Sequence, residues 1–316
     1  QHTEHRIRQT AAMVFPVMMK GGLTAPEGSG IAQVLEVRLI HATIRHLILR
    51  GAPESATGRI APLAPQDVRG GLHQALRAHG WDVARQGLPC NQLELAYTLL
   101  TFNYVFLNGM RTLGLPLSRA QEEAFLHAWN VAGHVLGVRE EGMAHGMEEA
   151  ASMFGAIQAQ ARARPAVPDV RPGLGRALID TMARSIRLPV LRHLPVPMTC
   201  WLIGDETARE IGADVRVGWL ARACFAAGRL AVRCFDGVIR LVLPQFSLTR
   251  MFTRVIGYHL LTRFLLDQTR PLALPETLLQ PMQATVAGWH HDRHAPAWIN
   301  RLEDRLTTRG AWGPKR

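Results

Sequence analysis

Between residues 38 and 49 the sequence reads RLIHATIRHLIL, an apolar helical run carrying His41 and His46 together with Arg38 and Arg45. On a helix over 31–50, Val34, Val37, His41, Ile44 and Ile48 fall on one apolar stripe, with His41 at its middle. His46 lies about 140° round the helix and points elsewhere. Arg38 stands one turn before His41 and Arg45 one turn after it. Two chemistries fit. A core histidine satisfied by a neighbouring acceptor asks nothing beyond the fold. An axial ligand to a metal or a haem iron asks for a neutral imidazole on a rigid apolar wall. Arginines one turn away would suit haem propionates, because guanidinium pairs well with carboxylate.

Other groupings of reactive side chains are less specific. His127 and His134 lie seven apart on one helix face with Asn130 between them, a pattern of helix packing or of a polar group beside a cofactor. His290 and His294 in WHHDRHAPAW have the spacing of a helical zinc pair, but Pro296 is close and the H-E-x-x-H order is missing. A polar surface tail is the plainer reading there, as it is for His2 and His5 near the start. Cys90, Cys200, Cys224 and Cys234 form neither a CxxC pair nor a zinc spacing and read as inert core thiols. Arg222, Arg229, Arg233 and Arg240, spaced 7, 4 and 7, share one narrow arc of a helix that also carries Trp219, Phe225, Leu230, Val232, Phe235 and Val238. A solvated amphipathic face explains them, and so does a surface resting on an anionic membrane with arginines to phosphates. There is no GxxxxGK(S/T) loop and no G-x-S-x-G elbow, and the GLG at 173–175 follows no strand, which sets aside the common nucleotide-binding and hydrolase classes.

The elements that must position these residues are helical. The chain has 316 residues, of which 47% are apolar, enough for a substantial core. Helical periodicity recurs almost throughout, while alternating β-branched stretches are scarce, so the chain is expected to be all-α. Helices are expected over about 2–19, 31–50, 91–113, 118–136, 140–163, 173–186, 204–212, 215–243 and 247–267. Asn91 with Glu94, and Ser118 with Gln121, form capping-box patterns, and Gly114 and Gly137 mark the corresponding stops. Pro- and Gly-rich connections occupy 20–30, 51–66 and 163–175, and the tail from about 271 is Pro-rich and turns basic. The formal charge of +11 is almost wholly arginine, since Lys20 and Lys315 are the two lysines. No run of five basic residues or aromatic-interleaved basic motif accompanies it, so no nucleic-acid partner is expected. No apolar run reaches the length of a membrane span. The chain opens on Gln1 rather than Met, which leaves room for a removed N-terminal segment that could include an export signal; a cytoplasmic or peripheral-membrane location is the favoured expectation, and the sequence does not fix it.

RLIHATIRHLIL and NQLELAYTLLTFNYVFLNGMRTLG, followed by EEAFLHAWNVAGHVLGV, resemble in sequence and order the catalytic domain of the latex clearing protein and MpaB-type oxygenases. The resemblance runs from about Arg6 to Val138. It implies a single large helical domain around a buried b-type haem, with a core over 1–166 and a C-terminal helical part over 167–316 packed on it. It implies that His41 is the proximal iron ligand, with Arg38 and Arg45 beside the cofactor. The family's Arg-x-x-Lys-Thr element falls on Arg6, Gln9 and Thr10, which would shape the oxygen-binding side; Gln9 replaces the lysine, and can hydrogen-bond O2 but not ligate iron as an amine does. The implied activity is haem-dependent oxidation or cleavage of C=C bonds in an apolar isoprenoid or lipid-like substrate. The alternative is a haem- or lipid-binding, membrane-associated carrier without oxygenase activity, with Arg222, Arg229, Arg233 and Arg240 as its peripheral membrane contact.

Overall fold

A computed structural model describes residues 10, 13–19, 21–24, 29–51, 83, 87–115, 117–163, 169–185, 192–193, 195–213, 218–242, 246–247, 251, 253, 255 and 296–307. Among these residues every regular element is helical, as the periodicity requires. The chain divides into two compact units, one of residues 21–106 and 118–162, the other of residues 1–20, 107–117 and 163–316.

The first unit is built on α1 (Ser29–Gly51), α2 (Gln92–Leu100), α4 (Arg119–Leu136) and α5 (Met147–Ala163), with a short 3-10 turn at Glu140–Gly142. Both expected capping boxes form. The Asn91 side chain accepts from the Glu94 N–H at 3.1 Å and the Glu94 carboxylate accepts from the Asn91 N–H at 3.2 Å, which satisfies two donors left open at the start of α2. Ser118 and Gln121 do the same for α4. α4 stops at Gly137, whose φ of 103° is open to glycine and strained for other residues. The helix expected to run unbroken from 91 is interrupted by a π-helical turn at Thr101–Val105 before continuing as α3 (Phe106–Thr112). Fully buried Leu100, Ala144 and Ala150 form a core with Tyr104, Met153, Phe154 and Ile157 around them. Two aromatic strings flank the π turn. Tyr97 and Tyr104 pack on Phe154 at 5.1 and 5.6 Å, and Phe102, Trp129, Phe125 and Phe106 follow one another between the π turn and α4.

The second unit carries α6 (Arg171–Ser185), α7 (Pro195–Glu210), α8 (Trp219–Val242) and α9 (Ala297–Thr307). α7 starts earlier than the sequence pattern suggests, because Pro195 and Pro197 sit in a first turn whose N–H groups have no helical acceptor anyway; the chain then kinks at Gly204. Ile179, Cys200, Ala208 and Ala213 join α6 to α7. α9 lies in the Pro-rich, basic tail where no helix was expected, and its Ile299 packs with Phe246, Met251 and, from α8, Ile239. No described helix is long and apolar enough to cross a membrane.

Gly133 sets how closely α4 approaches α2. A Cβ there would lie 2.8 Å from a methyl of Leu99, which is buried. Overpacking costs about 1–3 kcal/mol against about 1 kcal/mol of helix propensity gained, so Gly133→Ala is expected to lower the urea midpoint; a higher midpoint would mean that Leu99 swings clear.

Candidate functional site

α1 presents the expected stripe to α4. Val34 and Ile48 are buried at its two ends, while Val37, His41 and Ile44 between them are half-buried. His41 therefore sits at the middle of an apolar wall with part of its ring accessible. Burial lowers its pKa below the usual 6.5, and the Arg45 guanidinium lowers it further, so the neutral imidazole is the favoured form. The opposite side of α1 is also apolar, with Leu35, Leu39 and Ile40 exposed and His46 among them.

The two arginines that bracket His41 hold the helix in place. Arg38 donates from Nη1 to the Val135 carbonyl at 2.8 Å, satisfying an acceptor at the C-terminal end of α4, and its guanidinium lies against Gly137. Arg45 donates from Nε to the Pro89 carbonyl at 2.9 Å and from Nη2 to the Cys90 carbonyl at 2.7 Å. Cys90 has a φ of 53°, a left-handed conformation few side chains adopt, and it leads directly into the Asn91 cap. Burial raises the Cys90 thiol, Glu94 raises it further and Arg45 opposes both, which leaves a protonated, unreactive thiol. Gln92 completes the frame, donating to the Gly137 carbonyl and accepting from the Arg139 N–H, each at 2.9 Å. The sequence pattern assigned both arginines to a ligand. The structure places them on backbone carbonyls, although each guanidinium carries five N–H donors, more than these bonds use.

The remaining candidates divide. His127 and His134 are both exposed on α4, whereas Asn130 between them is buried and donates to the Ala144 carbonyl at 2.9 Å. Thr10 is exposed; Arg6 and Gln9, like His2, His5, His290 and His294, lie outside the described residues. Sequence reasoning passed over Asn103. It is fully buried in the π turn, its Oδ1 accepts from the Tyr104 N–H, and its Nδ2 has no hydrogen-bond partner in the protein. Trp129 Nε1 and Asn130 Oδ1, on the neighbouring α4, are in the same state. A lone amide inside LLTFNYVFL was the available signal, and π turns of this kind recur at functional sites.

Residues 1–235 match the family described as ER-bound oxygenase mpaB/B'/Rubber oxygenase, catalytic domain. The chain belongs to this family. The match carries the resemblance beyond Val138, through α6 and α7 and most of α8. A rubber oxygenase from Streptomyces sp. (strain K30) is 28% identical over 138 residues, which is 43% of this chain and 27% of that protein, so the chain spans well under half of its relative's length. No solved structure matches the chain.

Two outcomes follow from the His41 frame. Removing the Arg45 fork in Arg45→Met should cost about 2–3 kcal/mol, because two carbonyls lose a charged donor, and Arg45→Lys should recover less than half of it in urea denaturation. Full recovery by lysine would mean that charge, not the fork, matters. His41 resists protonation in the folded chain, so the unfolded chain binds its proton first, near 6.5. Stability from the neutral ring is complete above that pH and declines as pH falls through it toward the lower folded value. In the chain with no cofactor bound, Tm should fall more steeply from about pH 7.5 to about pH 5 than in His41→Gln. Parallel slopes would remove His41 from the acid response.

Proposed function

We propose that the chain is a haem b-dependent oxygenase acting on an apolar, isoprenoid or lipid-like substrate with O2, and that His41 would hold its iron. The observation that carries this reading is a neutral, half-accessible imidazole centred on a helix that Arg38 and Arg45 lock from both sides, in a chain of an oxygenase family. Among the described residues no three His, Cys, Asp or Glu side chains gather around a common point. A haem held by His41 would not ask the protein for such a set.

When bound, the haem would supply oxygen activation and the cleavage of a C=C bond to carbonyl products. The chain's own part is narrower. Burial and Arg45 favour the unprotonated His41 ring, and the carbonyl-bound arginines hold the helix that carries it, which would keep the ligand's backbone in place before the cofactor binds. The guanidinium donors that the carbonyl bonds do not use would be available, one turn either side of His41, to pair with propionate carboxylates. Arg6, Gln9 and Thr10 would serve the oxygen-binding side, with the Gln9 amide donating a hydrogen bond where a lysine would otherwise stand. That substitution is also the observation favouring the second reading, a haem- or lipid-binding carrier without oxygenase activity.

The test is the absorption spectrum and pyridine haemochrome of the purified chain beside His41→Ala, with carbonyl products assayed after incubation with polyisoprene and short isoprenoids under O2. The wild type should carry b-type haem, and loss of the axial ligand should lower retained haem at least about tenfold. Wild-type protein that stays colourless after haem reconstitution would sink the proposal. Haem without products on any isoprenoid would select the carrier.

A further inference from the structure

Among the described residues, α8 is docked by one side. Phe225 packs edge-on to Trp201 at 5.9 Å, the Arg229 guanidinium lies over the same ring at 4.2 Å, buried Asp236 accepts from Ser247 Oγ at 3.1 Å, and Ile239 joins the Phe246, Met251 and Ile299 cluster. Those four positions share one arc of the helix and fix its roll. The opposite arc faces solvent and is strongly apolar. Trp219, Leu230, Phe235, Val238 and Leu241 each keep between 61% and 84% of their surface exposed. They lie within about 160° of arc, with small residues such as Ala223, Ala227 and Ala231 between them. Contiguous exposure of five large apolar side chains is unusual on a soluble surface and marks an interaction site.

The charges on this helix say what covers it. Arg222 and Arg233 are exposed and border the apolar arc on the Trp219 and Leu230 side, about 20° from one another. The sequence placed Arg229 with them; the structure withdraws it onto Trp201, where stacking replaces solvent, and the Arg240 side chain lies outside the described residues. The single acidic residue of α8 is Asp236, which is buried. Pairing α8 with a second copy of itself would therefore bury the apolar arc but give its border arginines no counter-charge. An anionic lipid surface satisfies both features at once, taking the apolar arc at the acyl boundary and the arginines at phosphates.

We propose that α8 is an interfacial helix that seats the chain on an anionic bilayer through Trp219, Leu230, Phe235, Val238 and Leu241, with Arg222 and Arg233 binding lipid phosphates. α8 lies flat in this arrangement, in keeping with the lack of a described helix able to cross a membrane. The proposal does not rest on the haem reading.

Co-sedimentation of the full chain with phosphatidylcholine vesicles, with and without phosphatidylglycerol, tests it. The wild type should pellet with the anionic vesicles, and Trp fluorescence should be quenched by brominated lipid through Trp219, an effect reduced in Trp219→Phe. The pair Arg222→Glu and Arg233→Glu should lower binding at least about tenfold. The pair Leu230→Ser and Leu241→Ser should lower it at low and high salt alike. All these side chains are exposed, so helicity should match the wild type, and haem content read on the same samples keeps a failure here distinct from a failure of the oxygenase reading. A wild type that ignores anionic vesicles, or binding unchanged in both pairs, overturns the proposal. So does a dimer in size-exclusion chromatography that the serine pair dissociates without any vesicle binding in the wild type, which would assign the arc to a second copy.

Discussion

A helix that is apolar on more than one side cannot take its roll angle from hydrophobic burial alone, because several rotations bury similar area. α1 is such a helix, with Val34 and Ile48 buried on one side and Leu35, Leu39 and Ile40 exposed on another. Its orientation is fixed by polar bonds. Arg38 reaches the last turn of α4 through one hydrogen bond and Arg45 spans the two carbonyls before α2 as a fork, so two other segments of the chain meet on α1. His41 lies midway between these two anchors. The Arg45 donors sit on partly buried carbonyls and are costly to break, so the helix segment that carries His41 is held by charged hydrogen bonds as well as by packing.

The anchors in turn depend on local devices that shape the carbonyls. Gly137 turns α4 into a left-handed stop against which Arg38 can lie, and the left-handed Cys90 sets the Pro89 and Cys90 carbonyls where Arg45 can take both. Gln92 ties the turn after α4 back to the start of α2. Behind this frame the π turn widens the helix between α2 and α3 and buries Asn103 beside the aromatic string of Phe102, Trp129 and Phe125. Three buried polar atoms without protein partners, on Asn103, Trp129 and Asn130, make this the part of the first unit where apolar packing is most deliberately broken. In the second unit α8 divides its surface in a comparable way, with one arc packed on Trp201 and the Ile239 cluster and the other left to face outward.

The sequence by itself determined what depends on residues within a few positions of one another. The all-helical class, the cap pairs Asn91 with Glu94 and Ser118 with Gln121, the stop at Gly137 and the stripe from Val34 to Ile48 all rest on such short spacings, and all were legible. Family membership was legible too, in runs of residues around His41 and Asn130, though not its reach to residue 235. Only the tertiary structure decided where the long polar side chains go. Arg38 meets a carbonyl 97 residues away and Arg45 one that is 45 residues away, and no helical period encodes either meeting. The same holds for Arg229, which a helical wheel places with Arg222 and Arg233 but the Trp201 ring draws inward. The π turn at Thr101–Val105 belongs with them: no local spacing announced it, and its Phe102 and Tyr104 pack on Trp129 of α4 and Phe154 of α5. A flexible side chain or a slipped helical register is chosen by what lies across the contact, and that neighbour is assigned by the fold rather than by the local chain.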